Sequence, residues 1–240
     1  MPHSGWFRRR LFRLIACSRA KAKGIKITRR DLKIFIPAFL ALFSSAYSIT
    51  MLFPFLPFMV QFLLPQVEEE NIGKYAGFIA SSMFLGRFFG SYAWGALADK
   101  KGRKPVVIVS CVLIGLSSAA FGFSVQIYMA VVFRFFVGLF NGVAGTVKAI
   151  ISESTTNRSQ ALGMSLIICA FSLGLIMGPA VSGALADPIG QYNLNISNAV
   201  VREFLTRFPY SLPCLVNLLL SLLSGAVVAI WMPETLRSKT

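Results

Sequence analysis

Acidic side chains are scarce in this sequence of 240 residues, and histidine is almost absent. There are nine Asp and Glu against 24 Lys and Arg, and the one histidine is His3. A lone histidine at the start of the chain cannot supply a Ser-His-Asp triad or a histidine zinc site. No glycine-rich segment ends in Gly-Lys-Ser or Gly-Lys-Thr, which excludes the common phosphate-binding loop. The sequence therefore favours a protein that is not an enzyme and that uses no metal and no other cofactor.

Cysteine is also sparse, and its spacing is irregular. The four cysteines are spread over the N-terminal segment and three apolar stretches: Cys17, Cys111, Cys169 and Cys214. This scatter indicates neither a disulfide framework nor a cysteine metal site. We therefore expect the cysteine side chains to pack between helices.

Long apolar stretches dominate what the sequence does contain. Hydrophobic residues make up 55% of the chain, charged residues 14%, and the mean hydropathy is +0.68, values typical of a membrane protein. Six stretches can each cross a bilayer, which takes roughly 20 apolar residues as a helix: about 34–64, 75–98, 105–124, 126–150, 161–186 and 210–232. We predict an all-α membrane protein with a six-helix bundle over 34–232. A basic tail, 1–33, precedes this bundle, and the start of a linker, 233–240, follows it.

Basic residues are concentrated on one side of the predicted membrane. The tail holds eleven of the 24 Lys and Arg and the loop at 100–104 holds four, so the positive-inside rule places both termini in the cytoplasm. The tail is either an orientation signal alone or an amphipathic segment lying on anionic lipid. No nucleic-acid-binding module accompanies the charge, so nucleic acid is not expected as a partner. On this topology Asn195, in an Asn-Ile-Ser sequon of the opposite loop, is a predicted glycosylation site.

A repeat relates the two halves of the bundle. The segment Gly-Ala-Leu-Ala-Asp at 95–99 recurs 88 positions later at 183–187. The glycines upstream keep the same interval: Gly86 and Gly90 in the first copy, Gly174 and Gly178 in the second. Only the first copy ends in basic residues, as expected if the copies face opposite sides of a bilayer. We predict a 3+3 inverted repeat, about 34–124 and 126–232, which is typical of transporters.

Two arginines lie inside predicted spans, where a charge is costly. Arg87 is twelve residues from Asp99 at the end of its span, and Arg134 is comparably deep in the fourth span. No Asp, Glu or His lies within any of the six stretches, so these spans offer no midplane carboxylate for a proton relay. Each arginine is predicted to face the bundle interior or a hydrated cavity, either as a functional group or as a strut bonded to carbonyl groups.

Charges also meet at the cytoplasmic rim of the predicted bundle. Asp99 has Lys100, Arg103 and Lys104 around it and is a candidate gate, because a charge network at a rim can favour one conformation over another. Glu153, after the fourth span, is the other acid of this rim. Each of the two acids could instead pair with local arginines or cap a helix.

The fifth span combines small residues with a proline: Gly174, Gly178, Pro179 and Gly183. Glycine lets helix backbones approach closely where lipid gives no hydrophobic drive for association. Pro179 removes a backbone donor and can kink the span, which suits a helix that bends during a transport cycle. The alternative is a static proline that neighbouring helices tolerate.

These motifs resemble those of the major facilitator superfamily. The run Gly95-x-Leu-Ala-Asp99-Lys100-x-Gly102-Arg103-Lys104 resembles the family's loop between helices two and three. Arg134-x-x-x-Gly138 resembles its helix-four motif, and 174–183 resembles its helix-five antiporter motif. Pro-Glu-Thr-Leu at 233–236 is similar to the segment that ends helix six. The resemblance implies that Asp99 and the basic residues after it form a conformational latch, that Arg134 aids proton coupling, and that Gly178-Pro179 shapes the bend of helix five.

Finer features are similar to the zinc-induced facilitator-like group of proton-coupled transporters. Examples are Phe-Pro-Phe-Leu-Pro-Phe-Met at 53–59 and Arg-Phe-Pro-Tyr at 207–210. The Cys-Pro-Gly-Cys signature of the plant group is absent. For such proteins the resemblance implies substrates that include metal ions or their chelators, potassium and organic anions, and a place in vacuolar, lysosome-like or plasma membranes.

The family has twelve spans, and this sequence has six. The resemblance therefore implies the N-terminal half of a transporter that moves a small solute with proton coupling, by rocking two bundles about a midplane site. The second six-helix bundle is either the missing C-terminal half or another copy of the chain. The alternative is a truncated, non-transporting half that pairs with or regulates full-length transporter subunits in the lipid bilayer.

Overall fold

The computed structural model describes residues 28–155, 157–192 and 199–234, and these residues form helices without any strand. The helices are α1 (Arg29–Thr50), α2 (Leu56–Leu63), α3 (Glu69–Lys101), α4 (Arg103–Gly122), α5 (Ile127–Leu139), α6 (Val143–Ser154), α7 (Asn157–Leu185), α8 (Pro188–Tyr192), α9 (Ala199–Arg207) and α10 (Ser211–Trp231). The predicted all-α fold is confirmed. The tail before residue 28, Asn195 and residues 235–240 lie outside the described residues.

Five helical segments of the described chain are long and apolar enough to cross a membrane. They are Arg29–Thr50, Arg103–Gly122, Ile127–Ser154, Ser159–Leu185 and Ser211–Trp231. The remaining predicted span lies in α3, whose 33 residues reach about 50 Å at 1.5 Å per residue. Helix α3 is less apolar because it carries Arg87 together with several glycines and serines. The six stretches found in the sequence thus correspond to six long helical segments.

Two of these segments are interrupted, which the sequence analysis did not predict. In the stretch 34–64, α1 ends at Thr50, a turn covers 51–55, and α2 then begins at Leu56. Pro54 lies in this turn, and its missing N–H and its restriction of the preceding residue both oppose a continuous helix. In the stretch 126–150, α5 and α6 are separated at 140–142. Trp94 of α3 lies against Gly142 at this break, and its Nε1 donates to the Leu139 carbonyl at 2.7 Å.

Glycine allows three close pairs of helices. A Cβ atom on Gly86 or Gly90 of α3 would collide with carbonyl oxygens of α5, namely those of Phe135 and Leu139. A Cβ atom on Gly174 of α7 would lie 2.6 Å from the Phe43 carbonyl oxygen of α1. Gly122 of α4 meets Cys214 of α10 in the same way, at 2.7 Å. The first long segment therefore pairs with the fifth, the second with the fourth, and the third with the sixth. Exchanging the two halves of the chain maps these pairs onto one another, as an inverted repeat requires.

Buried hydroxyl groups link helices across the interior. Ser44 of α1 and Ser221 of α10 share a hydrogen bond at 2.9 Å. Ser224 of α10 donates to the Leu40 carbonyl at 3.1 Å, and Ser45 donates to Asn141 Oδ1 at 2.9 Å. In a bundle surrounded by lipid, such bonds between helices supply specific attraction that apolar contact alone does not.

Many large apolar side chains point outward. In α3 the exposed ones include Phe84, Phe88, Phe89 and Tyr92. An apolar surface of this extent is expected where a protein faces lipid or a further helical bundle.

The two ends of the bundle are named by one residue each. The Gly102 end is where α3 meets α4, and the Asp187 end is where α7 meets α8.

Candidate functional site

A cluster of charged side chains occupies the Gly102 end. Arg103 Nη2 lies 2.7 Å from Glu153 Oε1 and 3.4 Å from Asp99 Oδ1. The Arg103 backbone N–H also donates to Glu234 Oε1 at 3.3 Å. We call Asp99, Arg103, Glu153 and Glu234 the Arg103 cluster. It joins the start of α4 to the end of α3, the end of α6 and the chain after α10.

The Arg103 side chain is the least exposed of the ion-paired members. Its relative exposure is 14%, against 72% for Asp99 and 49% for Glu153. A guanidinium group has several donors in a fixed plane, so one such group can hold two carboxylates at once. Exposed ion pairs add little stability, and the cluster is therefore better suited to setting the relative position of helices than to stabilising the fold.

Gly102 forms the sharp turn that places Arg103 in the cluster. Its φ of 104° lies in a region that side chains rarely adopt, and a Cβ atom there would be 3.0 Å from Glu234 Oε2. The positive φ requires glycine here, whereas the Glu234 side chain could move aside from a Cβ atom. The sequence contains the Pro-Glu-Thr-Leu segment but does not predict Glu234 as a site residue, because nothing in the order of residues brings positions 102 and 234 together.

The remaining residues of the predicted latch take no part in these contacts. Lys100 is exposed and Lys104 is half-buried, and neither forms an ion pair with any residue that the structure describes. Gly95 has open space where a Cβ atom would stand. It contributes instead to the wall of a cavity between α3 and α6.

Arg87 lines this same cavity, which has a volume of about 320 Å³. Asp99 and Arg103 form part of its wall toward the rim, and Asn141 and Thr146 lie on the side of α5 and α6. The Arg87 side chain is half-buried. A cavity that reaches from the half-buried Arg87 to the Arg103 cluster and has polar side chains in its wall gives the guanidinium group access to water.

Arg134 is in a different environment, because its side chain is completely buried. Its Nη2 donates to the Ile49 carbonyl at 2.8 Å, and its Cζ lies 5.7 Å from the centre of the Phe121 ring. Its Nε and Nη1 have no hydrogen-bond partner among the described residues. The hydroxyl groups of Tyr47 and Ser48, in the last turns of α1, are also buried without a hydrogen-bond partner in the described part of the chain.

The contact with Ile49 explains where Arg134 is held. The last carbonyl groups of a helix lack intrahelical donors and carry partial negative charge. Ile49 is in the last turn of α1, where Phe53 N–H bonds to the Thr50 carbonyl instead. Arg134 therefore caps the broken end of α1 with a positive charge, while its two unpaired nitrogens leave the group only partly satisfied.

The fifth-span residues pack against the same end of α1. A Cβ atom on Gly178 would collide with Thr50 Oγ1, and one on Gly183 would lie 3.3 Å from Pro54 Cβ. Helix α7 continues through Pro179, although Pro179 cannot donate to the Leu175 carbonyl four residues earlier. Thr50 Oγ1 lies 3.3 Å from that carbonyl and 3.3 Å from the Ala46 carbonyl of its own helix, so its single hydrogen is shared between the two acceptors.

Removing this hydroxyl is a direct test of how α7 tolerates Pro179. We expect Thr50→Val to lower the free energy of unfolding by about 1 kcal/mol, since hydrogen bonds between membrane helices contribute roughly 0.6 to 2 kcal/mol. Thr206→Val is the control, because that hydroxyl bonds only within its own helix α9. Thermal unfolding of the two variants in detergent measures the difference, and equal midpoints would contradict the assigned role of Thr50.

The comparisons with known proteins agree with this architecture. The family model described as Major Facilitator Superfamily matches residues 38–240. The chain belongs to the major facilitator superfamily. Among curated members of that family, the Arabidopsis thaliana protein ZINC INDUCED FACILITATOR-LIKE 1 is 37% identical over 92% of this chain and 46% of its own length. ZINC INDUCED FACILITATOR 1 of the same plant is also 37% identical, over 92% of this chain and 45% of its own length.

Solved structures of the superfamily share the fold. A D-xylose-proton symporter aligns with a TM-score of 0.68 at 17% identity, over 86% of this chain and 49% of its own. The human organic anion transporter MFSD10 aligns with a TM-score of 0.64 at 21% identity, over 88% of this chain and 49% of its own. The chain thus spans about half the length of the relatives and structures that it matches, which agrees with one six-helix half of the superfamily fold.

Proposed function

We propose that this chain is the N-terminal half of a proton-coupled transporter that moves a small solute across a membrane. The observation that carries the proposal is the Arg103 cluster, in which the guanidinium group of α4 binds carboxylates of α3 and α6 while the Arg103 backbone N–H binds the segment after α10. A cluster of this kind can favour one conformation of the bundle and be released in another. On this proposal the Gly102 end and both termini lie in the cytoplasm.

The second part of the transporter is a further six-helix bundle. Superfamily transporters bind substrate between two such halves, and this chain spans about half of its relatives. The exposed apolar faces of α3 and α7 offer surfaces for a second bundle. Proton coupling is the role that we propose for Arg134, whose environment changes if the end of α1 moves.

A flux assay in liposomes tests the proposal. We would reconstitute the chain with a pH-sensitive dye inside and add nitrate, a dipeptide or ethidium, probes suggested by relatives named as a probable peptide/nitrate transporter and a multidrug transporter. Two reconstituted copies supply the two bundles that the proposal requires, and a solute-dependent pH change above that of empty liposomes is the expected result. Solute flux without any pH change would contradict proton coupling.

Arg103→Gln is expected to reduce that flux at least about fivefold, the lower end of typical coupling between conformational states. The guanidinium group then no longer holds Glu153 and Asp99. Lys100→Gln is the matched control, because it removes one positive charge from the same turn without removing an ion pair. Equal flux in the two variants would rule out the Arg103 cluster as a conformational latch.

The exposed apolar faces of α3 and α7 also fit a second candidate function. The bundle would bind full-length transporter subunits through these faces and regulate them without moving solute. Folded chain that gives no flux alone, yet co-purifies with a full-length relative and changes its transport rate, would support this alternative.

A further inference from the structure

The repeat relates two cavities at opposite ends of the bundle. The cavity at the Gly102 end has among its lining residues Gly95, Ala98, Asp99 and Arg103. The cavity at the Asp187 end has a volume of about 490 Å³, and its lining residues include Gly183, Ala186, Asp187 and Gln191. Each residue of the second set is 88 positions after its counterpart in the first. The two cavities are therefore equivalent parts of the two repeats.

The two cavities differ in their basic residues. Asp99 is paired with Arg103 at 3.4 Å, and Arg87 adds a second positive charge to that cavity. At the other end Gln191 stands where the repeat would place Arg103, and none of the residues lining that cavity is basic. The Asp187 carboxylate therefore has no basic partner in the wall of its cavity.

The polar groups around Asp187 do not replace that missing partner. Asp187 Oδ1 accepts a hydrogen bond from the Gly190 N–H at 3.1 Å, and Oδ2 has no hydrogen bond to the described residues. In the orientation that satisfies its amide, Gln191 donates to the carbonyls of Gly183 and Ala186 at 3.2 and 3.1 Å. Its N–H groups are directed to the end of α7 rather than to the carboxylate.

The other groups of the cavity wall that attract a cation are aromatic rings. Asp187 itself lies between the end of α7 at Leu185 and the start of α8 at Pro188, so its carboxylate meets helix ends of both polarities. The aromatic rings of Phe55 and Tyr210 stack with centroids 5.4 Å apart. Phe58, whose side chain is 62% exposed, lines the same cavity together with both rings. The faces of aromatic rings attract cations, and quaternary ammonium groups are bound in this way.

We propose that the cavity at the Asp187 end binds a small organic cation, with its ammonium group between the Asp187 carboxylate and the Phe58 and Tyr210 rings. Its volume is in the range of cavities that bind small molecules. The proposal concerns binding by this chain alone and does not depend on transport. A failure of binding would leave the proposed function untouched, and a failure of flux would leave this site untouched.

Calorimetric titration of the purified 240-residue chain in detergent tests the site. The probes are choline and 3,3-dimethylbutan-1-ol, a neutral molecule of nearly the same shape. Choline is expected to bind, and the neutral alcohol to bind at least about tenfold more weakly, because only choline gains the carboxylate and the aromatic faces. Equal binding of the two probes, or no binding of choline to folded chain, would overturn the proposal.

Three variants locate the site. Asp187→Asn removes the charge, keeps an acceptor for Gly190 and suits the φ of 44° at this position, since asparagine tolerates the left-handed region. Gln191→Arg installs the partner that Asp99 has in the first repeat. Each is expected to weaken choline binding at least about tenfold, and Phe58→Leu at least about threefold. Glu203→Gln is the control for charge loss outside the cavity and should leave binding unchanged. Wild-type affinity in both Asp187→Asn and Gln191→Arg would exclude this site.

Discussion

Replacing Gly86 with alanine is expected to lower the free energy of unfolding of the bundle by about 3 kcal/mol, the upper range for overpacking a well-packed interface. A Cβ atom at this position would collide with the carbonyl oxygen of Phe135 and lie 2.9 Å from the Leu139 backbone nitrogen. Both obstacles are backbone atoms of α5, so no flexible side chain can move aside. The two helices must separate, and the Trp94 bond to Leu139 is then strained as well.

Gly77→Ala in the same helix is the matched control. A Cβ atom on Gly77 meets nothing within 4 Å, and alanine is favoured over glycine in a helix by about 1 kcal/mol. We therefore expect this variant to be neutral or slightly stabilised. Unfolding of both proteins in increasing denaturing detergent, followed by circular dichroism, measures the difference. If both variants unfold at the same detergent concentration, the close contact between α3 and α5 is wrong.

Replacing Arg134 with methionine is expected to abolish proton-coupled flux while leaving the free energy of unfolding within about 1 kcal/mol of wild type. The variant loses one charged hydrogen bond to Ile49, a loss of roughly 1.5 to 3 kcal/mol. It also removes a buried charge with two unpaired nitrogens, and the desolvation of such a charge costs several kcal/mol. Methionine fills much of the same volume, so the two effects approximately cancel.

The contrast between stability and flux separates the two interpretations of Arg134. If Arg134 acts in coupling and adds no net stability, the Met variant folds but is inactive. A structural strut gives a variant that unfolds several kcal/mol more easily. Arg134→Lys is the control, because it keeps the positive charge but lacks the planar fork that reaches Ile49. Flux through Arg134→Met equal to that of wild type would exclude Arg134 from coupling.

Several features of the protein could be predicted because they depend on residues close together in the sequence. Hydropathy over about 20 residues decides whether a segment can cross lipid, and five of the six stretches meet that criterion in the structure. The stretch in α3 falls short because Arg87 and its glycines occupy the middle of the helix. The 88-residue interval of the glycines predicted a repeat, and the packing of Gly86 and Gly174 against different partner helices agrees with it.

The breaks in the long segments could not be predicted from hydropathy or from the repeat. Pro54 opposes a continuous helix locally, but the group that caps the broken end of α1 is Arg134, which binds the Ile49 carbonyl 85 positions away in the chain. In the same way, the Leu175 carbonyl that Pro179 leaves without its helical donor lies 3.3 Å from Thr50 Oγ1 of another helix. The apolar pattern of one helix gives no information about hydrogen-bond donors on a neighbouring helix. The glycosylation of Asn195, the roles of the basic tail and the domain limits stay predictions.

The sequence by itself determined that the chain is a helical bundle in lipid built from two repeats. Composition, periodicity and the repeated glycines can all be read from the linear order of the residues. The sequence also determined which charges differ between the copies, Arg103 in one and Gln191 in the other. Only the tertiary structure decided that Glu234 joins Arg103, that Arg134 caps α1, and that Asp187 opens on a cavity without a basic residue. These contacts join residues far apart in the chain, and their geometry depends on how the helices pack, which no single segment specifies.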